Sequence, residues 1–384
     1  MRVLVSRGSR AFFRVIPTFL SLLALRGVAA TGPSGELASL AALAKLTAAS
    51  LPPLPDAANR LAAMVLFTSG LDDAEGLGRL RCALSLLQDN VGSSTALDTY
   101  VWLLANESRA APTWLLRDPS RFVLHVPPEA WRLPAGLRPE EEWVLPGTAE
   151  GYRLMGMWRL GFAFEFARAR CVILQCVYSM RGTISLTIGL HKCARGHLYM
   201  LQIDDDTFVR SRVPRDLVSL MRDGGYLVAN RRHRLHETRE VTAGLPELAA
   251  FFLATRRLQP TGPLYSHCTP PDARGLHTVL DSQQQRGAPN GWDAESLSGH
   301  FTLFDLDFWF SRHVQEFVAL VWATRAGIEQ RWNELGPQSM LRHMFVPDSK
   351  FHIFSDVNVV HTKRRSSTRL CRMTLKAADA VRGT

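Results

Sequence analysis

The chain has 384 residues, 46% of them apolar and 21% charged, with a formal net charge of +10. That length holds one large α/β domain or two small ones, and the mix excludes a fibrous or largely disordered chain. The basic balance suits an anionic partner, yet the arginines are scattered apart from Arg231–Arg234 and Lys363–Arg365, and no basic helix interleaved with aromatics or zinc-finger spacing appears, so the sequence points away from nucleic acid.

At the start of the chain, Arg2, Arg7, Arg10 and Arg14 precede an apolar run from Val15 to Leu25, closed by Arg26. The run falls well short of the roughly 20 residues that a bilayer span needs. It fits the core of a secretory signal, with Val28-Ala29-Ala30 as small residues for cleavage. Residues 1–30 are therefore read as a signal peptide or a short type II anchor. The first acidic residue is Glu36, so an organelle transit peptide is the alternative. The sequon Asn106-Glu107-Ser108 favours the secretory route. Residues 31–58, rich in Ala, Leu and Pro, read as a stem or linker.

The folded domain is expected over residues 60–365. Leu61 to Phe67 is a short apolar run read as a strand, ended by Ser69-Gly70. Leu77, Leu80, Leu84 and Leu87 then recur at helical spacing. Tyr100 to Leu104 and Phe122 to Val126 are two further apolar runs. Strand, helix and strand at this pace predict βαβ units and an α/β fold with a central, mostly parallel sheet flanked by helices. A long helix is predicted from Tyr152 to about Ala169, and others over residues 214–222, 244–257, 306–323 and 337–344. The tail, residues 366–384, is basic and polar. Six cysteines form no CxxC and no pairing with His at zinc-finger spacing, so most read as buried apolar residues.

The chemistry concentrates in Leu198-Tyr199-Met200-Leu201-Gln202-Ile203-Asp204-Asp205-Asp206, where an apolar strand runs into three carboxylates. Carboxylates repel one another, and open α/β sheets bind ligands at the carboxyl ends of their strands. On an extended chain Asp204 and Asp206 point the same way and can hold a hard divalent cation. Such a cation would neutralise a nucleotide diphosphate as a leaving group. Asp205 points the other way, towards a ribose or a neighbouring basic side chain. A second cluster runs from Phe351-His352 to His361, which would add a nitrogen ligand.

Four blocks, in order from Gly151 to His361, resemble the fungal-type α-1,2-mannosyltransferases, glycosyltransferase family 15. Gly151-Tyr152-Arg153-Leu154-Met155 with Gly161-Phe162-Ala163-Phe164 is similar to that family's Tyr-Arg-x-Met and Gly-Phe-Phe helix. The strand ending in Asp204-Asp205-Asp206 stands where the family has its metal motif. His300-Phe301-Thr302-Leu303-Phe304-Asp305-Leu306 is similar to its Asn-Phe-Glu-Ile-x-Asp-Leu block. Glu329-Gln330-Arg331-Trp332, continuing to His352 and His361, is similar to its Glu-Arg-Trp-Gly-Asp segment and the His that follows.

The resemblance implies a single GT-A-like domain, a GDP-mannose donor, Mn²⁺ or another divalent cation, a glycan or glycoprotein acceptor, retention of anomeric configuration and residence in the Golgi. By position, Asp204 and His361 would be metal ligands, Tyr152 and Arg153 would line the donor site, and Glu329 and Trp332 would stand near the acceptor or sugar, with Glu295 and His300 beside them. The sequence also departs from the family. Thr302 replaces the glutamate proposed to act at the anomeric carbon, and a Thr hydroxyl is a poor nucleophile without a base. Asp305 or Glu295 could supply a carboxylate instead, or the leaving phosphate could assist the incoming hydroxyl. Gln202 replaces an Arg, and Asn333-Glu334 replaces Gly-Asp. A GT-A transferase with another nucleotide sugar, and a non-catalytic glycan-binding relative, are the alternative readings.

Overall fold

A computed structural model describes residues 35–51, 54, 56–68, 71–104, 111–133, 150–170, 197–231, 235–237, 239–268 and 292–361. The N-terminal leader, the sequon at Asn106, Cys171, Cys176, Cys193, Cys371, Arg232 to Arg234 and the basic tail lie outside the described residues. No described helix is long and apolar enough to cross a membrane.

In chain order, helix α1 (Gly35–Ala49) is followed by strand β1 (Leu61–Phe67), α2 (Ala74–Asn90), β2 (Leu97–Leu103), β3 (Arg121–His125), α3 (Glu150–Leu160) and α4 (Phe162–Ala169). Then come β4 (Tyr199–Asp204), β5 (Thr207–Val209), α5 (Leu217–Gly224), β6 (Val228–Arg231), β7 (Leu235–His236) and α6 (Leu245–Arg256). The last part holds β8 (Glu295–Ser296), β9 (Thr302–Asp305), α7 (Arg312–Thr324), α8 (Leu335–Phe345), β10 (Phe351–Phe354) and β11 (Val359–His361).

Seven strands form one sheet in the order β10-β6-β9-β4-β1-β2-β3. β9 runs antiparallel to both of its neighbours, and the other pairs are parallel. Every residue of β1 and β2 is buried, as parallel strands covered on both faces require. The pleat divides β1 between two cores: Ala62, Met64 and Leu66 join one, Leu61, Ala63, Val65 and Phe67 the other. α2 covers the second face with Leu80, Leu84 and Leu87, and Asp73 caps its first turn by accepting from the Gly76 amide at 2.9 Å.

The first face carries an aromatic cluster. Trp102 meets Trp158, Phe162 and Phe166 edge to face, at centroid separations of 4.7–5.6 Å. The expected long helix over residues 152–169 breaks at Gly161, where a Cβ would meet the Trp322 ring at 3.0 Å. The expected 306–323 helix likewise starts with a short turn, Leu306–Trp309, before α7.

The expected stem is corrected over residues 35–49. Leu37, Leu40, Ala44 and Ala48 of α1 are buried in the first core, and Arg170 donates to the Ala48 carbonyl at 3.0 Å. Ala- and Leu-rich composition marks both linkers and helices, and here the spacing of these four residues packs one helical face into the domain.

His343 of α8 gives the fold a pH dependence. Its Nε2–H donates to the Glu295 carbonyl at 3.1 Å, and Nδ1 accepts from Arg342 at 3.0 Å. Burial, then His267 and Arg342, lower its pKa from 6.5 to about 3. Between these values the unfolded chain binds a proton that the folded chain refuses. Stability is therefore full above about pH 6.5 and falls as the pH drops towards 3, at about 1.4 kcal/mol per unit. Urea melts at pH 7.5 and pH 5.0 should show His343→Gln losing about 2 kcal/mol less than wild type over this interval. An equal loss in both proteins would remove His343 from the account.

Candidate active site at the end of strand β4

β4 is apolar before Asp204 except at Gln202, and its C-terminal end emerges in the middle of the sheet, beside β1 and β9. Strand alternation stops at Asp204, because Asp205 and Asp206 form the turn into β5. Asp205 therefore parts from the other two, and Asp204 and Asp206 both approach His361.

Asp204 is the hub. Its Oδ2 accepts from His300 Nδ1 at 2.7 Å, and its Oδ1 accepts from the Arg159 guanidinium of α3. Arg159 also donates to Glu334 Oε1 at 2.5 Å, so one buried guanidinium joins two carboxylates. Gln202 Nε2 adds a contact to Glu334 at 3.4 Å, and Gln338 Nε2 holds Gln202 Oε1 at 2.9 Å. Although burial opposes ionisation, Arg159 and His300 hold the Asp204 carboxyl well below the usual carboxylate range.

β11 pairs with β5 and sets His361 opposite Thr207. His361 Nε2 lies 3.0 Å from Asp206 Oδ1 and 4.0 Å from Asp204 Oδ2. Asp206, accepting that hydrogen bond, raises the His361 pKa. The His300 and His361 rings stack at 3.7 Å with 13° between their planes. Ligand atoms of Asp204, His300 and His361 all lie within 4.8 Å of one another. One carboxylate and two imidazoles make a mixed oxygen and nitrogen set that suits a first-row divalent ion. Asp206 Oδ1 meets the same His361 nitrogen that faces Asp204, so its carboxylate lies on the ligand side of that ring. Asp204 and Asp206 thus approach one His361 nitrogen, and His300, read as a sugar contact, joins them. Asp205 meets no basic group in this site: its carboxylate accepts from the Thr68 amide at 3.4 Å, and burial, then Asp206 and Asp204, push it up to about 7.

Tyr152 sits on the same side of α3 as Arg159, seven residues on. The Arg331 guanidinium lies over its ring at 5.3 Å, and burial, Glu334 and Glu237 raise its hydroxyl pKa. Arg331 has a φ of 61°, a left-handed conformation unusual for a residue with a side chain. Tyr152 and Arg331 are thus gathered beside the cluster.

Other expected residues are elsewhere. Arg153 is 1% exposed and donates to the carbonyls of Ile328 and Glu329, so it secures the short helix Ala326–Glu329. Glu329 is the last residue of that helix. Trp332 is a core residue, 1% exposed, with its indole N–H donating to the Ala243 carbonyl at 2.9 Å. Thr302 is fully buried; its hydroxyl donates to the Ser298 carbonyl and accepts from Asn230 Nδ2, both at 2.5 Å. With its proton committed, it is no nucleophile in this arrangement. Asp305 caps the turn after β9, accepting from the Phe308 amide at 2.8 Å. It pairs with Tyr199, at the opposite end of β4 from Asp204. Glu295 belongs to another group, with His267 and Asp293, where His267 Nδ1 is 2.9 Å from Asp293 and 3.8 Å from Glu295.

Arg159 and Glu334 are the functional residues that sequence reasoning missed. The available signal was Arg159 sharing a helix face with Tyr152, and Glu334 closing a block already singled out.

No family model and no curated protein matches the chain. Among solved structures, core-mannan synthase A (CmsA/Ktr4) from Aspergillus fumigatus in its Mn/GDP form is similar, with a TM-score of 0.56 and 16% identity over 80% of this chain and 77% of that one. The mannosyltransferase Ktr4p from S. cerevisiae is similar in its GDP complex (TM-score 0.52, 12% identity) and in a second structure (0.55, 13%), each over 91% of this chain and 86% of that one. At these identities the likeness is one of fold: this chain has the GT-A-like fold of the fungal mannosyltransferases.

Proposed function

We propose that the protein is a retaining glycosyltransferase that moves mannose from GDP-mannose to a hydroxyl of a glycan, of the α-1,2-mannosyltransferase type, working in protein glycosylation in the secretory lumen. The observation that carries this reading is the convergence of Asp204, His300 and His361 at the carboxyl end of β4. The Mn²⁺ and GDP named for one structural relative, and the GDP named for another, support the choice of ion and donor.

In this reading Asp204 Oδ2 and the two imidazoles would hold the ion, with Asp206 facing the same His361 nitrogen and able to add a carboxylate oxygen. A bound Mn²⁺ would supply Lewis acidity to the diphosphate leaving group. Arg159 keeps Asp204 anionic and thus able to bind a cation. Tyr152 and Arg331 line the approach to the cluster on the donor side. Because the Thr302 hydroxyl is engaged with Ser298 and Asn230, the incoming hydroxyl gives its proton to a leaving-group phosphate oxygen on the same face as departure, which retains configuration. The leader read from Arg2 to Ala30 supports a secretory location.

Thermal unfolding with Mn²⁺ and each of GDP, UDP, GDP-mannose and common UDP-sugars tests the donor. A ligand at 100 times its Kd stabilises by about 2.7 kcal/mol, on the order of 5 °C or more for a domain of this size. The expected result is a shift with GDP and GDP-mannose that requires Mn²⁺ and disappears in His361→Ala. A shift confined to uridine nucleotides would discard GDP-mannose, and no shift with any nucleotide would sink the transferase reading.

A further inference from the structure

A cavity of about 750 Å³ opens beside the candidate active site, between the ends of β6 and β10, helix α8 and the segment that begins with β8. Its size is that of a small-ligand pocket. The sheet register fixes its relation to the cluster. Gln202, Thr302 and Asn230 lie side by side across β4, β9 and β6. Asn230 therefore shares a sheet face with Gln202, and so with Asp204 two residues on. β4, β6 and β10 all run the same way, so the cavity and the cluster occupy one edge and one face. Two strand spacings separate them, about 10 Å. The chain that lines the cavity at Glu295 and Leu297 continues directly to His300, the partner of Asp204.

The walls combine three kinds of group. Glu295 presents a carboxylate. Arg342 presents a guanidinium that lies over the Phe351 ring at 4.5 Å; it is 9% exposed, and its buried Nε–H has no hydrogen-bond partner. Phe351 and Ile353 of the edge strand β10 add an aromatic and an aliphatic surface. The Arg342 charge is answered by Asp348 at 2.8 Å, and Arg231 and Glu295 on the wall carry opposite charges, so the lining is mixed in sign. A buried donor without a partner requires an acceptor from a ligand or water. A carboxylate and a guanidinium facing an aromatic ring match the hydroxyls and the apolar face of a sugar.

We infer that this cavity is the acceptor site, and that it receives a neutral hexose at the end of a glycan, with Glu295 and Arg342 taking its hydroxyls and Phe351 and Ile353 its apolar face. This rests on the transferase reading for its purpose. Its test does not, because acceptor binding can be measured without nucleotide.

Saturation-transfer NMR on the whole protein would use methyl α-mannoside and α-1,2-mannobiose as probes, with mannose 6-phosphate as the anionic counterpart. The neutral sugars should bind, and Glu295→Gln and Ile353→Trp should each weaken them at least tenfold. Ile353 is 48% exposed, so its replacement can narrow the cavity without entering the core; an unchanged circular dichroism spectrum and melting temperature would verify this. Failure of wild type to bind either neutral sugar, preference for the phosphate, or unaltered binding by both folded variants would overturn the assignment. Failure of GDP and Mn²⁺ to bind, with sugar binding intact, would instead count against the proposed donor chemistry alone.

Discussion

Asp204→Asn should reduce Mn²⁺-dependent transfer about a thousandfold, the consequence of losing several kcal/mol of metal-borne charge stabilisation. Asp204 is the one residue that touches both halves of the site: Oδ2 faces the histidine pair and Oδ1 faces Arg159. The amide keeps the size of the side chain but removes the negative charge that recruits the ion. Arg159 retains Glu334 at 2.5 Å, so the protein should stay folded. Initial rates with GDP-mannose and a mannoside, read beside circular dichroism, separate loss of chemistry from loss of structure. The Mn²⁺-dependent thermal shift with GDP should vanish in the same variant. A folded Asp204→Asn protein within tenfold of wild type would remove the cluster from the mechanism.

Arg159→Met should be the most destabilising substitution near the site, at about 3–5 kcal/mol, the usual cost of leaving buried charge without its counterion. Arg159 is 5% exposed and Glu334 is 3% exposed, so the Glu334 carboxylate cannot turn to water for compensation. Methionine leaves Asp204 with the two histidines and Glu334 with the amide of Gln202. Arg159→Lys should fall between, since one ammonium cannot reproduce the fork that bridges two carboxylates. Chemical denaturation of wild type, Arg159→Met, Glu334→Leu and Arg159→Met/Glu334→Leu completes a double-mutant cycle, with Arg159→Lys measured beside it. The double variant should regain part of the stability lost in Arg159→Met, because it removes a lone buried charge. A loss in the double variant equal to the sum of the two single losses would show that the pair is not coupled.

The strands and the site differ in how readable they were. Leu61 to Phe67 and Leu198 to Ile203 declare themselves because strands covered on both faces are almost wholly apolar, here broken only by Gln202, and the carboxylates after Ile203 stand out against that background. Helix α1 did not, because Leu37, Leu40, Ala44 and Ala48 sit in a stretch whose composition equally suits a linker. The ligand set was half legible. Asp204 and His361 followed from the strand end and the resemblance, but His300 owes its role to the register of β9 against β4, which no local pattern contains. The misplacement of Asp305 has the same origin. It lies five residues from His300 in sequence, yet the antiparallel direction of β9 carries it to the far end of the sheet. Thr302 could be identified as a departure from the family, but only the hydrogen bonds with Ser298 and Asn230 assign its hydroxyl a structural use.

The stacked histidines have a topological consequence. Asp204 and His300 are 96 positions apart, and His361 arrives on a different ribbon again. No short peptide from this chain could reproduce the set, and the ligands meet only after β9 has paired with β4 and β11 with β5. An ion held by all three would act as a cross-link between distant segments, so its binding free energy would also be folding free energy. Cation occupancy would then report on completed topology, and the chain would acquire its chemistry as the last product of its own assembly.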